Sequence, residues 1–234
     1  MAKRRDDRDN FVLPETAAMR VTPDVVLAAL TPLLSEPRRA RIERVIHMRS
    51  LAVAAVLDGL IDPHNVSAVL RSADAFGVQR VHLIARQEPF VAAPRIARGA
   101  NQWLDVKRHA SVEACVKELR EHGHRIFIAD VDGALRPEDL AREPKPAIVF
   151  GNEHAGVSPE LRALADSTYA IPMHGFVQSL NVSVAAGITL FTAMQGRTGD
   201  LDERAVGELR ARYYSLSVPQ ADVIIEEYLR RQSR

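Results

Sequence analysis

The chain has 234 residues and a mass of 25.9 kDa, which suits a single α/β domain with terminal extensions. Hydrophobic residues make up 47% of the chain and charged residues 26%, a composition that excludes collagen-like, coiled-coil and wholly disordered proteins. The 31 lysine and arginine residues almost balance the 30 aspartate and glutamate residues, so the net charge of +1 indicates no general affinity for polyanions.

The sequence also bears on where the protein resides. Its most apolar stretches are short or interrupted by serine, threonine and glycine, which argues against a bilayer span. The N-terminal residues are charged where a secretory signal needs an apolar segment. The single cysteine, Cys115, cannot form an internal disulfide, and we expect it to pack in the core. The sequence therefore predicts a cytoplasmic protein with no membrane partner.

The N-terminal part separates into a tail and a helical extension. Residues 1–22 carry charges of alternating sign and no apolar period, which predicts a mobile charged tail. Residues 23–50 show apolar positions at helical spacing and a serine-proline start signal, which predict two short helices. The second of these helices carries Arg38, Arg39 and Arg41. These arginines form either a solvated face or an RNA-binding face, and the sequence does not decide between the two.

The main part of the chain alternates short apolar runs with amphipathic segments, a pattern typical of parallel strands joined by crossover helices. Strands are predicted at residues 52–57, 81–85, 104–107, 125–130, 147–150 and 168–171. Helices are predicted at residues 65–76, 111–122 and 158–165. We therefore expect residues 51–197 to form an α/β domain with a parallel sheet flanked by helices. The charged, amphipathic residues 198–234 are expected to form a C-terminal helical extension.

One further helix is predicted to begin after Ser179, because residues 182–193 are apolar on nearly every side. Such a helix is expected to be buried on several sides. Either the rest of the sheet or a second subunit must then cover it.

The signatures of several common enzyme classes are missing from the sequence. It contains no Gly-rich phosphate loop, dinucleotide-binding turn, GxSxG elbow or Cys/His metal-ligand spacing. The turn Asp130-Val131-Asp132-Gly133 is not a calcium loop, because Ala141 stands where the twelfth position requires glutamate. We interpret it as a sharp strand-to-loop turn. A hydrolase that forms an aspartyl phosphate on Asp130 remains a remote alternative.

Three segments carry residues suited to chemistry. Asn65 and Arg71 lie at opposite ends of a short amphipathic helix, where they also fit a helix cap and a surface arginine. Glu153 follows a buried strand, at the edge of a parallel sheet where ligands bind, although a solvated acid in a turn fits as well. The loop at residues 172–181 is apolar, so it lines a ligand pocket or lies in an interface.

Taken in order, these segments resemble the three motifs of the SpoU-type RNA 2′-O-ribose methyltransferases of the SPOUT superfamily. The motifs read Asn-x-x-x-x-x-Arg, then Gly-x-Glu-x-x-Gly, then Ile-Pro-Met followed by Ser-Leu-Asn-Val-Ser-Val-Ala, and the resemblance covers residues 51–195. The flanking segments are similar to the TrmH branch, which methylates the ribose of guanosine 18 in the tRNA D-loop. Ribosomal RNA or another tRNA position remains an alternative substrate.

The resemblance implies a fold, a co-substrate and an assembly. It implies a C-terminal trefoil knot, S-adenosylmethionine as methyl donor, a tRNA partner, a working homodimer and no metal. The residues that it places around the cofactor are Ala129, Gly151, Ile171, Met173 and Leu180, with Gly151 allowing close approach of the ligand. The residues that it places around the ribose and its phosphate are Asn65, Arg71, Glu153, Ser179 and Asn181.

The same resemblance suggests a role for each polar residue. Arg71 is expected to bind the phosphate and stabilise a developing alkoxide, because a guanidinium with a pKa above about 12 keeps its proton. Asn65 is expected to orient Arg71, and Glu153 to hold its loop and Asn65. Ser179 and Asn181 are expected to hold the third motif against both ligands. An RNA-binding protein of the same fold that has lost turnover is the alternative.

Overall fold

The computed structural model of this chain describes residues 21–85 and 99–233. These residues form two compact units. Among the described residues, the first unit is Leu51–Arg197, and the second joins residues 21–50 to residues 198–233. Residues 1–20 of the predicted charged tail lie outside the described residues.

The first unit is built on one parallel sheet. Its strands are β1 (Ser50–Asp58), β2 (Val78–Ile84), β3 (Asp105–His109), β4 (Arg125–Ala129), β5 (Pro146–Gly151) and β6 (Ser167–Tyr169). The six strands lie in the order β3-β2-β1-β5-β4-β6, so the direction of strand succession reverses between β1 and β5. β1 and β5 consist almost wholly of buried apolar residues because helices cover both faces of the sheet.

Nine helices are found in the described parts of the chain. They are α1 (Pro23–Leu30), α2 (Glu36–Ile46), α3 (Pro63–Phe76), α4 (Val112–Glu121), α5 (Pro137–Arg142), α6 (Pro159–Ala163), α7 (Val182–Ala193), α8 (Glu203–Ser217) and α9 (Ala221–Gln232). Short polar side chains begin several of them. Asp62 accepts a hydrogen bond from the His64 amide at 2.8 Å, and Ser111 accepts one from the Ala114 amide at 3.2 Å.

The predicted pattern of strands and helices is confirmed, including the short strand after Trp103. The structure adds α5, which the sequence pattern does not indicate because six residues are too few to show a helical period. β2 begins at Val78 rather than at residue 81, since Gly77 ends α3 with a positive φ of 83° and the strand follows immediately.

Helices pack on both faces of the sheet and create two cores. On one face α3, α5 and α7 bury Leu70, Leu140 and Leu190 against the strands. On the other face α4 and α6 bury Cys115 and Leu161. Cys115 has no exposed surface, so the prediction that it packs in the core is confirmed.

Within the single chain α7 is buried on one side only, so the burial on several sides that the sequence predicts requires a second subunit and stays a prediction. Ala186, Leu190 and Ala193 are fully buried. In contrast, 49% of the surface of Val184, 40% of Ile188 and 52% of Phe191 is exposed. α3, α5 and β5 therefore cover one side of this apolar helix and leave the other exposed.

In the second unit α1 packs against α8 and α9, and α2 packs against α8. Arg210 of α8 donates two hydrogen bonds to the Glu43 carboxylate of α2, at 2.6 and 2.7 Å. These bonds hold the pKa of Glu43 below its usual value.

No helix within residues 21–85 and 99–233 is both long enough and apolar enough to cross a membrane.

Candidate active site

A cavity of about 500 Å³ opens at the carboxyl ends of β4, β5 and β6. This edge of a parallel sheet, close to the reversal in strand order, is where such folds bind ligands. The wall of the cavity contains all five residues that the sequence places around a cofactor: Ala129, Gly151, Ile171, Met173 and Leu180.

The cavity suits a ligand that is part apolar and part charged. Its volume lies within the range of about 300–1,000 Å³ typical of small-molecule sites. Ile171, Met173 and Leu180 offer an apolar surface for a purine ring or an alkyl chain. Asp130 and Arg162 place opposite charges in the same wall. S-adenosylmethionine has an aromatic base, ribose hydroxyls and a zwitterionic end, so the lining residues fit it.

The loop between β5 and α6 closes tightly on itself and shapes one side of the cavity. The backbones of Asn152 and Gly156 exchange two hydrogen bonds of 3.0 Å each. A Cβ at Gly151 would lie 2.5 Å from both the Gly156 carbonyl carbon and the Val157 nitrogen. Glycine is therefore required there for closure of the loop. Gly151 also lies in the cavity wall, and its role in close approach of a ligand stays a prediction.

Two polar contacts from β1 fix the same loop. The Asn152 amide donates a hydrogen bond to the Gly59 carbonyl at 2.7 Å. The fully buried Asp58 carboxylate accepts hydrogen bonds from the backbone amide and the hydroxyl of Ser158, at 2.8 and 2.9 Å. No local sequence signal marks Asp58 or Asn152, since each acts on a partner about 100 residues away in the chain.

Glu153, Asn65 and Asn181 form a hydrogen-bonded chain that joins the three sequence motifs. The Asn65 amide donates to Glu153 Oε1 at 2.7 Å, and the Asn181 amide donates to Asn65 Oδ1 at 3.2 Å. Asn181 also begins α7, because its Oδ1 accepts from the Ser183 amide at 2.8 Å. Glu153, Asn181 and Ser179 lie in the cavity wall, and Asn65 stands directly behind them.

Arg71 lies apart from this chain. Its side chain is exposed on α3, six residues after Asn65, and forms no hydrogen bond or ion pair with any of the described residues. The expected contact between Asn65 and Glu153 is present. The expected contact between Asn65 and Arg71 is absent, because residues six apart on a helix lie on different sides of it.

The Asp130 carboxylate forms an ion pair with Arg162 in the cavity wall. The hydrogen bond from Arg162 holds the pKa of Asp130 below its usual value. A carboxylate held in this way has a guanidinium as its partner, whereas an aspartyl-phosphate enzyme needs a free nucleophile beside a metal. The geometry therefore favours the interpretation of this segment as a turn.

The three arginines predicted to bind RNA lie on α2 of the second unit and differ in their surroundings. Arg38 donates to the Ser217 hydroxyl at 3.1 and 2.9 Å, and Arg39 pairs with Glu36 at 2.5 Å. Arg41 is exposed. Arg38 and Arg39 thus have contacts within the unit, and Arg41 has its side chain in solvent.

The chain has the three motifs in order, a parallel sheet and a cavity at the carboxyl edge of that sheet. These are the features expected of the SpoU-type RNA 2′-O-methyltransferases. A model of the SpoU rRNA Methylase family matches residues 52–191. The chain belongs to this family, whose members are RNA 2′-O-methyltransferases.

Individual relatives share both sequence and fold. The tRNA (guanosine(18)-2′-O)-methyltransferase of Thermus thermophilus is 37% identical over 164 residues, which cover 70% of this chain and 84% of the relative. The enzyme of that name from Escherichia coli is 34% identical over 165 residues, covering 70% of this chain and 72% of the relative. The crystal structure of the A. aeolicus TrmH/SpoU tRNA modifying enzyme matches with a TM-score of 0.69 and 27% identity, covering 79% of this chain and 98% of that one.

A further solved structure bears on the co-substrate. The SpoU methyltransferase AviRb from Streptomyces viridochromogenes, in complex with AdoMet, matches with a TM-score of 0.55 and 28% identity. The match covers 65% of this chain and 60% of that one.

Proposed function

We propose that this protein transfers the methyl group of S-adenosylmethionine to the ribose 2′-hydroxyl of guanosine 18 in tRNA. The observation that carries this proposal is the hydrogen-bonded chain of Glu153, Asn65 and Asn181 beside the cavity. It joins residues that are 88 and 116 positions apart in the chain. The relatives named for guanosine 18 support the choice of nucleotide.

S-adenosylmethionine supplies an activated methyl group when bound, so the protein's task is to position the hydroxyl and manage its charge. In the proposal Ile171, Met173 and Leu180 hold the co-substrate and exclude water from it. Ser179 and Asn181, at the start of α7, present a hydroxyl and an amide to the ribose. Asn65 acts as a positioning residue through its contacts with both neighbouring motifs.

Arg71 is proposed to bind the phosphate next to the target ribose. Its side chain is exposed and has no ion-pair partner among the described residues, so its charge is available to a polyanion. A guanidinium does not act as a base near neutral pH. Its positive charge instead stabilises the alkoxide that develops as the hydroxyl proton leaves.

The deciding experiment is transfer of labelled methyl from S-adenosylmethionine to unmodified tRNA and to ribosomal RNA, with the product nucleotide mapped by mass spectrometry. We expect 2′-O-methylguanosine at position 18 of tRNA. Label in ribosomal RNA alone would support the proposed methyl transfer but refute tRNA as the substrate. Binding of the co-substrate with no label in either RNA would favour an RNA-binding protein of this fold that has lost catalytic activity.

Two variants separate the roles of the residues. Arg71→Ala is expected to lower methyl transfer by at least about 100-fold, a loss typical of removing one electrostatic stabiliser, and to leave co-substrate binding unchanged. Arg142→Ala is the matched control, because its side chain is 80% exposed on α5. A near-normal rate of methyl transfer in Arg71→Ala would refute the role proposed for Arg71.

The uncovered face of α7 supports a homodimer in the proposal. Val184, Ile188 and Phe191 follow one another at helical spacing, and Phe191 meets Phe76 of α3 edge-to-face at 5.5 Å between ring centroids. A continuous apolar stripe exposed to water is costly. A second copy of this chain offers the same stripe, so a two-fold contact buries both.

In the second unit, Arg41 is proposed to contact tRNA phosphates. Arg41→Ala is expected to weaken tRNA binding and to lower the slope of log affinity against log salt by about 1. Arg38→Ala is unsuitable for this test because it also removes the hydrogen bonds to Ser217. An unchanged salt slope for Arg41→Ala would indicate an ordinary solvated side chain.

The trefoil knot implied by the family resemblance also stays a prediction.

A further inference from the structure

Two histidines and the cysteine meet inside the first unit, at a place that the proposed methyl transfer does not use. His82 lies on β2, His109 at the end of β3 and Cys115 on α4. His82 shares its face of the sheet with Ile84, two residues later, and Ile84 is paired in register with His109. Ile84 and Cys115 belong to the core on the α4 face. Both imidazoles therefore point towards α4.

The donor atoms of the three residues are close together. His82 Nδ1 and His109 Nε2 are 2.8 Å apart, and the rings stack with centroids 5.1 Å apart. The two ring nitrogens and the Cys115 sulfur all lie within 4.8 Å of one another. Exposure is 3% for His82, 4% for His109 and zero for Cys115, so bulk water does not compete for these atoms.

The two imidazoles are held in the neutral form that binds metal ions. Burial lowers the pKa of His82 to about 3 and also lowers the pKa of His109. Both imidazoles are therefore neutral at pH 7 and retain a lone pair. Burial and the Glu118 carboxylate, one turn after Cys115 on α4, raise the pKa of Cys115 to about 12, so the thiol keeps its proton until an ion displaces it. Glu118 is itself ion-paired with Lys107 at 2.5 Å.

We propose that His82, His109 and Cys115 bind one divalent ion of the class that includes Zn²⁺. Two imidazole nitrogens and a thiolate are ligands that Zn²⁺ prefers. Metal–nitrogen distances of about 2.0–2.1 Å in a tetrahedral site place two nitrogens about 3.3 Å apart, so the histidine pair needs to open by only about 0.5 Å. The thiolate neutralises one of the two charges of the ion, and Glu118, which is paired with Lys107, lies one turn away on α4. The site ties the edge strands β2 and β3 to α4 and has a stabilising role.

Binding involves the loss of one proton and no redox step. The Cys115 thiol releases its proton to solvent as the sulfur–metal bond forms. One of the two facing ring nitrogens, His82 Nδ1 or His109 Nε2, carries the proton of their hydrogen bond. That proton moves to the other nitrogen of the same ring, so that both facing nitrogens bind the metal. Affinity for the ion must therefore fall as the pH is lowered.

Titration of the full-length protein with Co²⁺, followed by displacement with Zn²⁺, tests the proposal. We expect one ion per chain, a thiolate-to-cobalt charge-transfer absorption band, and a higher Tm with Zn²⁺. Cys115→Ala should abolish the band, and His109→Gln should weaken Zn²⁺ binding by at least about tenfold. His122→Gln is the control, because this histidine is exposed just after α4 and should leave both readouts unchanged.

Folding of each variant is checked by circular dichroism, so that lost binding is not confused with lost structure. Either of two results would overturn the proposal. One is a folded wild-type protein that shows no charge-transfer band with Co²⁺. The other is a band or a Zn²⁺ affinity that survives in both Cys115→Ala and His109→Gln.

Discussion

Gly151→Ala is expected to damage the cavity through the backbone of its own loop. The added Cβ would lie 2.5 Å from the Gly156 carbonyl carbon and the Val157 nitrogen, and 2.8 Å from the Gly156 oxygen. Carbon atoms normally stay about 3.5–4.0 Å from such neighbours. The loop must therefore move by about 1 Å, and the atoms that must move are backbone atoms, which cannot rotate away as a side chain can.

The cost can be worked from the contacts. Overpacking of this kind costs about 1–3 kcal/mol. The two hydrogen bonds between Asn152 and Gly156 are 3.0 Å long, and losing them adds about 1 kcal/mol each. We therefore expect the free energy of unfolding to fall by about 3–5 kcal/mol. Affinity for S-adenosylmethionine is expected to fall at least about tenfold, because Gly151, Gly156 and Val157 all line the cavity.

Urea denaturation measures the first effect and titration calorimetry the second. Gly175→Ala is the matched control, because a Cβ there meets nothing within 4 Å and its φ is not positive. It should stay within about 0.5 kcal/mol of the wild type. If Gly151→Ala matched the wild type in unfolding free energy and in affinity, the argument from loop closure would be wrong.

Three further outcomes are expected. Phe191→Asp should convert the proposed dimer to a monomer in sedimentation velocity with an unchanged circular dichroism spectrum, and a wild-type monomer would refute the proposed dimer. The hydrogen bond from Arg162 holds the pKa of Asp130 in the folded protein below its unfolded value of about 3.9. The pair therefore stabilises the fold above that pH, and this stabilisation is lost as the pH falls through the folded-state pKa. Asp130→Asn should thus cost about 1 kcal/mol or less at pH 7 and less still in acid, and a pH-independent cost would contradict this. Asn181→Asp should keep the cap of α7 and the Tm but lower methyl transfer at least about tenfold, and a normal rate would refute the proposed chain.

Much of the fold could be predicted because its signals are local. β1 and β5 are continuous apolar runs, and α3 and α4 begin at side chains that cap helices. α5 lacks such a signal because its six residues bury only Pro137 and Leu140. The exposure of Phe191 could not be predicted either, since a helix that is apolar all round does not reveal which side the sheet covers.

The site was predictable to the extent that its residues belong to motifs. Met173 and Leu180 were placed by the third motif and lie in the cavity wall. Contacts between distant segments gave no such signal. Asp58 and Ser158 are 100 residues apart. Cys115 meets two histidines from other elements, and no local Cys/His spacing in the sequence marks this cluster.

The direction of every hydrogen bond in the proposed site follows from the start of α7. Asn181 Oδ1 accepts from the Ser183 amide, which can only donate, so the side-chain nitrogen of Asn181 must face Asn65. Asn65 therefore presents its oxygen to Asn181 and its nitrogen to Glu153, which must accept. Glu153 thus acts as an anionic anchor. An aspartate at position 181 would still cap the helix. It would, however, place a carboxylate oxygen against Asn65 Oδ1, so the hydrogen bond between these two residues would be lost.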